Sequence, residues 1–352
     1  MKRKHNYNSD EEINKQVLDE MIETILSGNF VCFVGAGMSV PLKYPSWEDS
    51  IILIEEFAIR YCFVDRSDII KIRGLNRLER AQGVKDLIEK KKKDSYQEFI
   101  YTTFKEKDTN QSEDHCLLLK LPFQHVLTTN YDVCLEHADN KVRDELSLSI
   151  NWKEKLKVEE LLDALGANNS RRRIFHIHGI YDDINSIVFT SREYTECYDN
   201  TSYMKNTLWT ILTTKRVLFV GYRFNDDDEY VQILKKCKFD FDRVKPRHYT
   251  LYGININDYN DKKKRIEIRE MLTRKYSVEP IFYPVWEDNG AENHSELRNI
   301  LYAIYSTYKA NIEQEVENNV NIGSKTDRQS AERLRQIMRA NYDYSRRSND
   351  SA

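Results

Sequence analysis

The run Phe30-Val31-Cys32-Phe33-Val34-Gly35-Ala36-Gly37-Met38-Ser39 constrains the fold more than any other stretch of this chain. Five apolar residues without a polar interruption suit a strand buried on both faces, as parallel sheets require. Two glycines one residue apart then stop the run, ahead of a polar residue able to open a helix. Lacking Cβ atoms, Gly35 and Gly37 admit positive φ and let a phosphate approach main-chain N–H groups at a helix start. Strand, turn and helix in that order point to an α/β sheet, with a nucleotide diphosphate as the fitting ligand. The third glycine of the dinucleotide fingerprint is missing, since Val40 follows Ser39, so a tight turn without a ligand stays open on this stretch alone.

Later apolar runs also end in polar residues. His125-Val126-Leu127-Thr128-Thr129-Asn130-Tyr131-Asp132 places Asn130 and Asp132 at a strand's carboxyl end, where open α/β sheets gather ligands. Turn capping by Asn and Asp is the alternative. In Arg173-Ile174-Phe175-His176-Ile177-His178-Gly179, alternation sends Ile174, His176 and His178 one way and Phe175 and Ile177 the other. His178, at the strand's end before a glycine, is either structural or a base. Arg216 to Gly221-Tyr222 is a further buried strand, leading to Asn225-Asp226-Asp227-Asp228 ahead of a helix from Glu229 to Lys238. The three aspartates serve there as caps and dipole partners, with metal binding the alternative. Strands near 247–253 and 278–285, a basic amphipathic helix from Lys262 to Tyr276 and a final helix from His294 to about Ile312 complete an alternating α/β order.

Around this framework, Ile13, Val17, Met21 and Ile25 repeat at helical period before Gly28-Asn29. Pro41 and Pro45 bracket a loop whose Tyr44 and Trp47 either lie over a ligand or join the core. From about Ser50 to Leu119 the pattern is helical, which reads as an insertion beside the sheet, with Glu89 to Lys93 as a solvated helix end. The chain thus divides into a Rossmann-like domain over residues 1–312, an open and mostly parallel sheet with helices on both faces, and a polar segment over 313–352. Asn318 to Ser324 reads as a linker. Leu334, Ile337, Met338 and Tyr342 then form a narrow stripe on an arginine-bearing helix, suited to docking on another chain or back on its own domain.

Bulk properties exclude several classes. In 352 residues, 40% hydrophobic and 32% charged, no run of about 18 apolar residues exists to span a membrane. The basic start leads into Asp10-Glu11-Glu12 instead of an apolar core, so no secretory signal is read and a cytoplasmic protein is expected. The net charge of -3 supplies no field toward nucleic acid, and the basic clusters at Arg171 to Arg173 and Lys262 to Arg265 fit solvated faces. The six cysteines lack the two-to-four-residue spacing of a zinc knuckle and read as buried free thiols.

Gly35-Ala36-Gly37-Met38-Ser39, Thr129-Asn130-Tyr131-Asp132, His178-Gly179 and Val220-Gly221-Tyr222 followed by Asp226, in that order at strand ends, resemble the motifs of the sirtuin-like domain. The variant resembled is the bacterial sirtuin-like NADase of antiphage defence, over roughly residues 15 to 308. Deacylating sirtuins differ: their four-cysteine zinc module is absent, and Pro45-Ser46-Trp47-Glu48 replaces their Pro-Asp-Phe-Arg loop. Arg223 also stands where the NADase pattern often has serine after Gly-Tyr. The resemblance implies hydrolysis of the nicotinamide glycosidic bond of NAD+, with NAD+ as substrate and no zinc. It implies catalytic roles for Asn130 and His178, and NAD+ contacts from Gly35, Ala36, Gly37, Ser39, Trp47, Asp132, Gly221, Tyr222 and Asp226. It further implies restraint or activation through a homo-oligomer or a partner such as a HerA-type ATPase or a short Argonaute. An NAD-dependent protein deacylase and a non-enzymatic scaffold sensing NAD or ADP-ribose are the competing readings.

Overall fold

The computed structural model describes residues 10–26, 30–107, 112–143, 145–165, 171–199, 202–226, 228–241, 247–288 and 291–322. Helix α1 (Asp10–Leu26) precedes β1 (Phe30–Val34), which two single turns of 3-10 helix follow, at Ala36–Met38 and Val40–Leu42. Between β1 and β2 stand α2 (Trp47–Tyr61), α3 (Arg66–Ile72), α4 (Arg77–Lys91), α5 (Ser95–Phe104) and α6 (Glu113–Leu119). After β2 (Val126–Thr128) come α7 (Cys134–Arg143), β3 (Leu148–Asn151), α8 (Lys155–Ala164) and β4 (Arg173–His176). Helices α9 (Ser191–Tyr198) and α10 (Tyr203–Thr214) lead to β5 (Arg216–Val220), followed by α11 (Glu229–Asp240) and β6 (His248–Asn255). The chain continues through α12 (Ile256–Asn260), α13 (Lys262–Tyr276), β7 (Val278–Asp288), β8 (Ala291–Asn293) and α14 (Ser295–Ile322).

Among the described residues the strands form one sheet in the order β3-β4-β2-β1-β5-β6-β7-β8. Every pairing is parallel except that of β8 with β7. The chain occupies one side of β1 with β2, β3 and β4 before crossing to the other side with β5, so the order switches at β1. Period-two alternation divides the central strands between two faces. Cys32, Val34, Val126, Ile174, Leu218 and Val220 pack with α1, α6, α7 and α14, whereas Val31, Phe33, Leu127, Phe175 and Phe219 meet α8, α10, α11 and α13. This is the doubly wound, Rossmann-like architecture the alternation of motifs implies.

The insertion has its own core, built from α2, α4 and α5 around Ile54, Val84, Ile88 and Phe99, and it also receives Tyr131, Cys134, Ile187 and Phe189. These four follow β2 and β4 in the chain, so the insertion stands over the carboxyl edge of the sheet. Glu193 on α9 ties it down, accepting from Lys85 Nζ at 2.8 Å and from Tyr96 Oη at 3.2 Å. Inside the insertion, buried Glu55 pairs with both Arg73 and Arg80. On the opposite face, buried Arg172 donates to Asp139 Oδ1 at 2.7 Å and to the carbonyls of Leu119, Leu121 and Phe123. It thereby satisfies main-chain groups where α6 ends, while the Asp139 carboxylate offsets its charge.

Several expectations are corrected. No α-helix follows the glycine turn directly: Pro41 supplies no N–H to extend a helix, and α2 waits until Trp47. Strand β3 and helices α7, α8, α10 and α12 lie in segments for which no element was read from the sequence. Helix α14 runs to Ile322, past the linker expected from Asn318, because neither glycine nor proline interrupts its polar stretch before Gly323. The stripe from Leu334 to Tyr342, the cap at Gly28-Asn29, and Asp227 lie outside the described residues. All six cysteines are buried free thiols. No helix among the described residues is long and apolar enough to cross a membrane.

Burial holds the imidazoles of His125 and His178 down to about 3. An unfolded histidine titrates near 6.5, so the unfolded chain gains protons first as pH falls. This stabilisation is therefore complete above about 6.5 and is lost progressively toward about 3, each histidine giving up about 2 kcal/mol between pH 7.5 and 5. His125 Nδ1 accepts from the Arg173 amide at 3.1 Å, a bond that a non-titrating Asn can retain. Urea denaturation at the two pH values is expected to show a smaller acid loss in His125→Asn than in the wild type; equal losses would refute the assignment.

Candidate active site

The carboxyl ends of β1 and β5 are locked by two turns that cross each other. The Gly35 amide donates to the Val220 carbonyl and the Gly37 amide to the Gly221 carbonyl, both at 2.9 Å. A Cβ on Gly35 would stand 2.5 Å from Gly221 O and 2.8 Å from Tyr222 Cα, and one on Gly37 would stand 2.9 Å from Gly221 O. Gly221 adopts φ +64°, and a Cβ there would meet Met38 N at 2.6 Å. Positive φ thus belongs to Gly221 and not to Gly35, which is extended at φ -102° and ψ 175°. The first two glycines are required by close approach, and their amides are used within the fold. The Ala36 amide takes no part in these turn bonds.

Beside this crossing, Asn130 is held through every polar atom but one. Its amide donates to Thr128 Oγ1 at 3.0 Å, and Thr128 Oγ1 in turn donates to Val34 O at 2.9 Å. Its carbonyl lies 2.9 Å from His176 Nδ1. Its side-chain Nδ2 reaches Gly35 O at 3.3 Å and Ser39 Oγ at 3.1 Å. Because a main-chain carbonyl only accepts, the atom facing Gly35 must be the NH2 group, which fixes the orientation of the amide. The remaining Oδ1 is buried without a partner among the described residues. An orphaned acceptor in a side chain only 6% exposed calls for a water or a ligand.

Thr128 and His176 are partners in register, so Asn130 and His178 each lie two residues past the paired ends of the neighbouring strands β2 and β4. Alternation would have put His178 on the face of His176. Instead the ladder ends at His176 and the chain turns at Gly179, φ +86°, where a Cβ would strike Ser186 O at 2.2 Å. The turn carries His178 onto α9: Nε2 is 2.8 Å from Tyr198 Oη, and the Tyr194 ring contacts the imidazole edge-on at 5.1 Å. Desolvation keeps this ring neutral at physiological pH. Tyr194 and Tyr198, spaced i, i+4 on α9, were missed in the sequence; two aromatics at that spacing beside a histidine motif were the available signal.

The other expected residues divide into two groups. Ser39 meets Asn130 directly, and Asp132, 4% exposed, caps α7 by accepting from the Cys134 amide at 3.1 Å. Trp47 opens α2 behind the capping box of Ser46 and Asp49, with its ring 5.7 Å from Phe189 and the Arg77 guanidinium 5.5 Å above it. Tyr222 leaves the crossing to bond Asp228, whose carboxyl burial shifts upward. Asp226 is drawn away, toward Tyr276 Oη at 2.7 Å, Lys235 at 2.9 Å and Lys275. Asp228 caps α11 through the Tyr230 amide, as read from the sequence.

The crossing yields a stability test. Gly221→Ala forces a side chain into both the left-handed region and Met38, and is expected to lower unfolding free energy by about 2–4 kcal/mol. Gly74→Ala, where the added Cβ meets nothing within 4 Å, is expected to stay within about 0.5 kcal/mol of wild type. Urea midpoints measured together check both, and equal midpoints would show that the turns are not interlocked.

The sequence profile of the SIR2-like domain matches residues 124–281, a span that includes Asn130, Asp132, His178, Gly221, Tyr222 and Asp226. The NAD(+) hydrolase ThsA of Enterococcus faecium is 24% identical over 313 residues, covering 84% of this chain and 59% of the relative. That of Cytobacillus dafuensis is 24% identical over 290 residues, covering 78% and 54%. That of Bacillus cereus (strain MSX-D12) is 25% identical over 240 residues, covering 66% and 45%. The chain therefore spans 59% or less of the length of these relatives. With motifs, sheet order and sequence similarity in agreement, the chain carries a SIR2-like domain and is a homologue of the ThsA NAD(+) hydrolases.

Proposed function

We propose that this protein is an NAD+ hydrolase that cleaves the nicotinamide glycosidic bond, with its active site at the strand ends around Asn130 and His178. The observation that carries the reading is the orphaned, oriented Oδ1 of Asn130 past the end of β2, with the neutral, buried His178 past the end of the adjacent strand β4. Nicotinamide leaves from a positively charged ring nitrogen, so the ribose develops oxocarbenium character and the leaving group becomes neutral. A fixed carbonyl dipole at the anomeric carbon stabilises that cation and orients a water for attack. The imidazole of His178 accepts a proton from a ribose hydroxyl or from that water, and Tyr198 holds the ring in place. Attack by water gives nicotinamide and ADP-ribose.

The remaining roles follow position. The Ala36 amide, at the topological switch point, is the donor of its turn open to the pyrophosphate, while Gly35, Gly37 and Gly221 bring the two turns close enough to form the crevice. Ser39 and Asp132 line the nicotinamide side, Trp47 and Tyr222 offer aromatic walls, and Asp226 acts at the adenosine side once released from its lysines. The resemblance to antiphage NADases and the similarity to proteins named NAD(+) hydrolase support an NAD+-depleting defence effector working in the cytoplasm. Such an enzyme endangers its host unless restrained, which favours control by a homo-oligomer or by a protein partner such as a HerA-type ATPase or a short Argonaute. Residues 313–352 are the proposed contact. The cysteine spacing disfavours the zinc-dependent deacylase, and a pure sensor has no use for a base.

Chromatography of nicotinamide release by the purified full chain, with and without candidate partners, tests the reading. Wild type is expected to consume NAD+, and Asn130→Ala and His178→Ala are each expected to lower kcat by about 100-fold or more. Intact NAD+ under every activating condition, together with tight NAD+ binding by calorimetry, would replace the hydrolase with a sensor.

A further inference from the structure

His176 is the more deeply buried of the two histidines near the site, at 0% exposure, and neither the motifs nor the proposed chemistry uses it. Its Nδ1 lies 2.9 Å from the main-chain carbonyl of Asn130, and its Nε2 lies 2.7 Å from Glu136 Oε1 on α7. Ser149 Oγ on β3 donates to the same carboxylate oxygen at 2.8 Å. A carbonyl can only accept, so Nδ1 carries a proton. An ionised carboxylate also only accepts, so Nε2 carries one as well, and the ring is an imidazolium.

The groups facing this ring favour the charged form. Burial opposes it, but the Glu136 carboxylate, the Asn130 carbonyl and, farther off, Asp132 outweigh that cost and raise the histidine above its ordinary value. Glu136 is lowered in turn: burial would raise it, but His176 and Ser149 prevail. From the strands, β2 presents Thr128 and β3 presents Ser149 and Asn151, all uncharged.

We infer that the buried His176–Glu136 pair is a positioning device for Asn130, clamping its main-chain carbonyl so that the side-chain Oδ1 is aimed at the reacting centre. The inference rests on the hydrolase reading above and deepens it. Three other bonds hold Asn130, from Thr128, Gly35 and Ser39, and all come from the side of β1 and β2. Among the described residues His176 supplies the one hydrogen bond to Asn130 from β4 and α7, and without it the residue pivots about the others. A charged clamp made as a pair is also suited to this chemistry. The pair is neutral overall, so it adds no net positive charge near a carbon that becomes cationic, whereas a lone imidazolium would oppose the reaction.

The test is steady-state NAD+ cleavage by the full chain under its activating conditions, with thermal unfolding measured alongside. His176→Leu removes the donor to Asn130 and is expected to lower kcat by about 10- to 100-fold with KM little changed, the effect of misplacing a catalytic group. His176→Asn places an amide N–H where Nδ1 stood and is expected to recover most of the loss. If His176→Leu fails to fold, His176→Asn compared with His176→Ala, which has no side-chain donor, carries the same contrast. Nitrogen-15 NMR is expected to find both ring nitrogens of His176 protonated at pH 7.5, and only one after Glu136→Gln. Wild-type kcat in His176→Leu would overturn the inference, as would activity falling only in parallel with melting temperature and without rescue by Asn. A wild type that leaves NAD+ intact would defeat the hydrolase reading itself, an outcome distinct from an active wild type whose His176 variants are unimpaired.

Discussion

The structure depends on the crossing of two backbone turns at the centre of the sheet. Where β1 and β5 end, the backbone at Gly35 and Gly37 lies so close to Gly221 that no side chain fits between them. The approach is sealed by two amide-to-carbonyl bonds that extend the β1–β5 ladder past its last paired residues, Val34 and Val220. Strand order switches at the same place, so the point where helices diverge to opposite faces is also one where the backbone is tightly specified. Rigidity here serves Asn130, because Gly35 O is one of the groups that orient its amide. A loosened turn would release the side chain while leaving the sheet intact.

The sheet fixes one side of the site and the insertion fixes the other. Tyr131 follows Asn130 directly and packs into the insertion's core, with its hydroxyl donating to the Val188 carbonyl at 2.9 Å. Val188 N in turn donates to His178 O at 2.9 Å. A short bridge thus joins the segments after β2 and β4 above the sheet, in line with the register that joins them within it. The segments that carry the two site residues are thus tied twice, once by the ladder that precedes them and once by this bridge.

Much of this was legible in the sequence because parallel strands buried on both faces write themselves as uninterrupted apolar runs. β1, β2 and β5 were visible for that reason and β4 by its alternation, and so were the polar residues at their ends. What stayed hidden depends on partners distant in the chain. The positive φ belongs to Gly221 because Met38 lies against it, and no local pattern reveals that contact. His178 was placed on the wrong face because alternation persists only while the ladder does, and the ladder stops at His176. The importance of Glu136 and His176 was invisible for a related reason: they are 40 residues apart and meet only when α7 packs beside β4. Edge strand β3 gave no signal because it is only half covered, its first two residues being partly exposed.

Glu193 limits how this fold can be taken apart and recombined. One carboxylate closes the start of α9, accepting from the amides of Phe189 and Thr190, and it also receives Lys85 and Tyr96 from the insertion. The same short helix carries the tyrosines that seat His178. The insertion is therefore not a module that can be exchanged alone. A chimera that replaces residues 47–104 with a relative's helices must also carry the matching 187–198 segment, or the foreign insertion will leave a half-buried carboxylate without its cation and loosen the helix beneath it. The two stretches, far apart in the chain, form one structural unit.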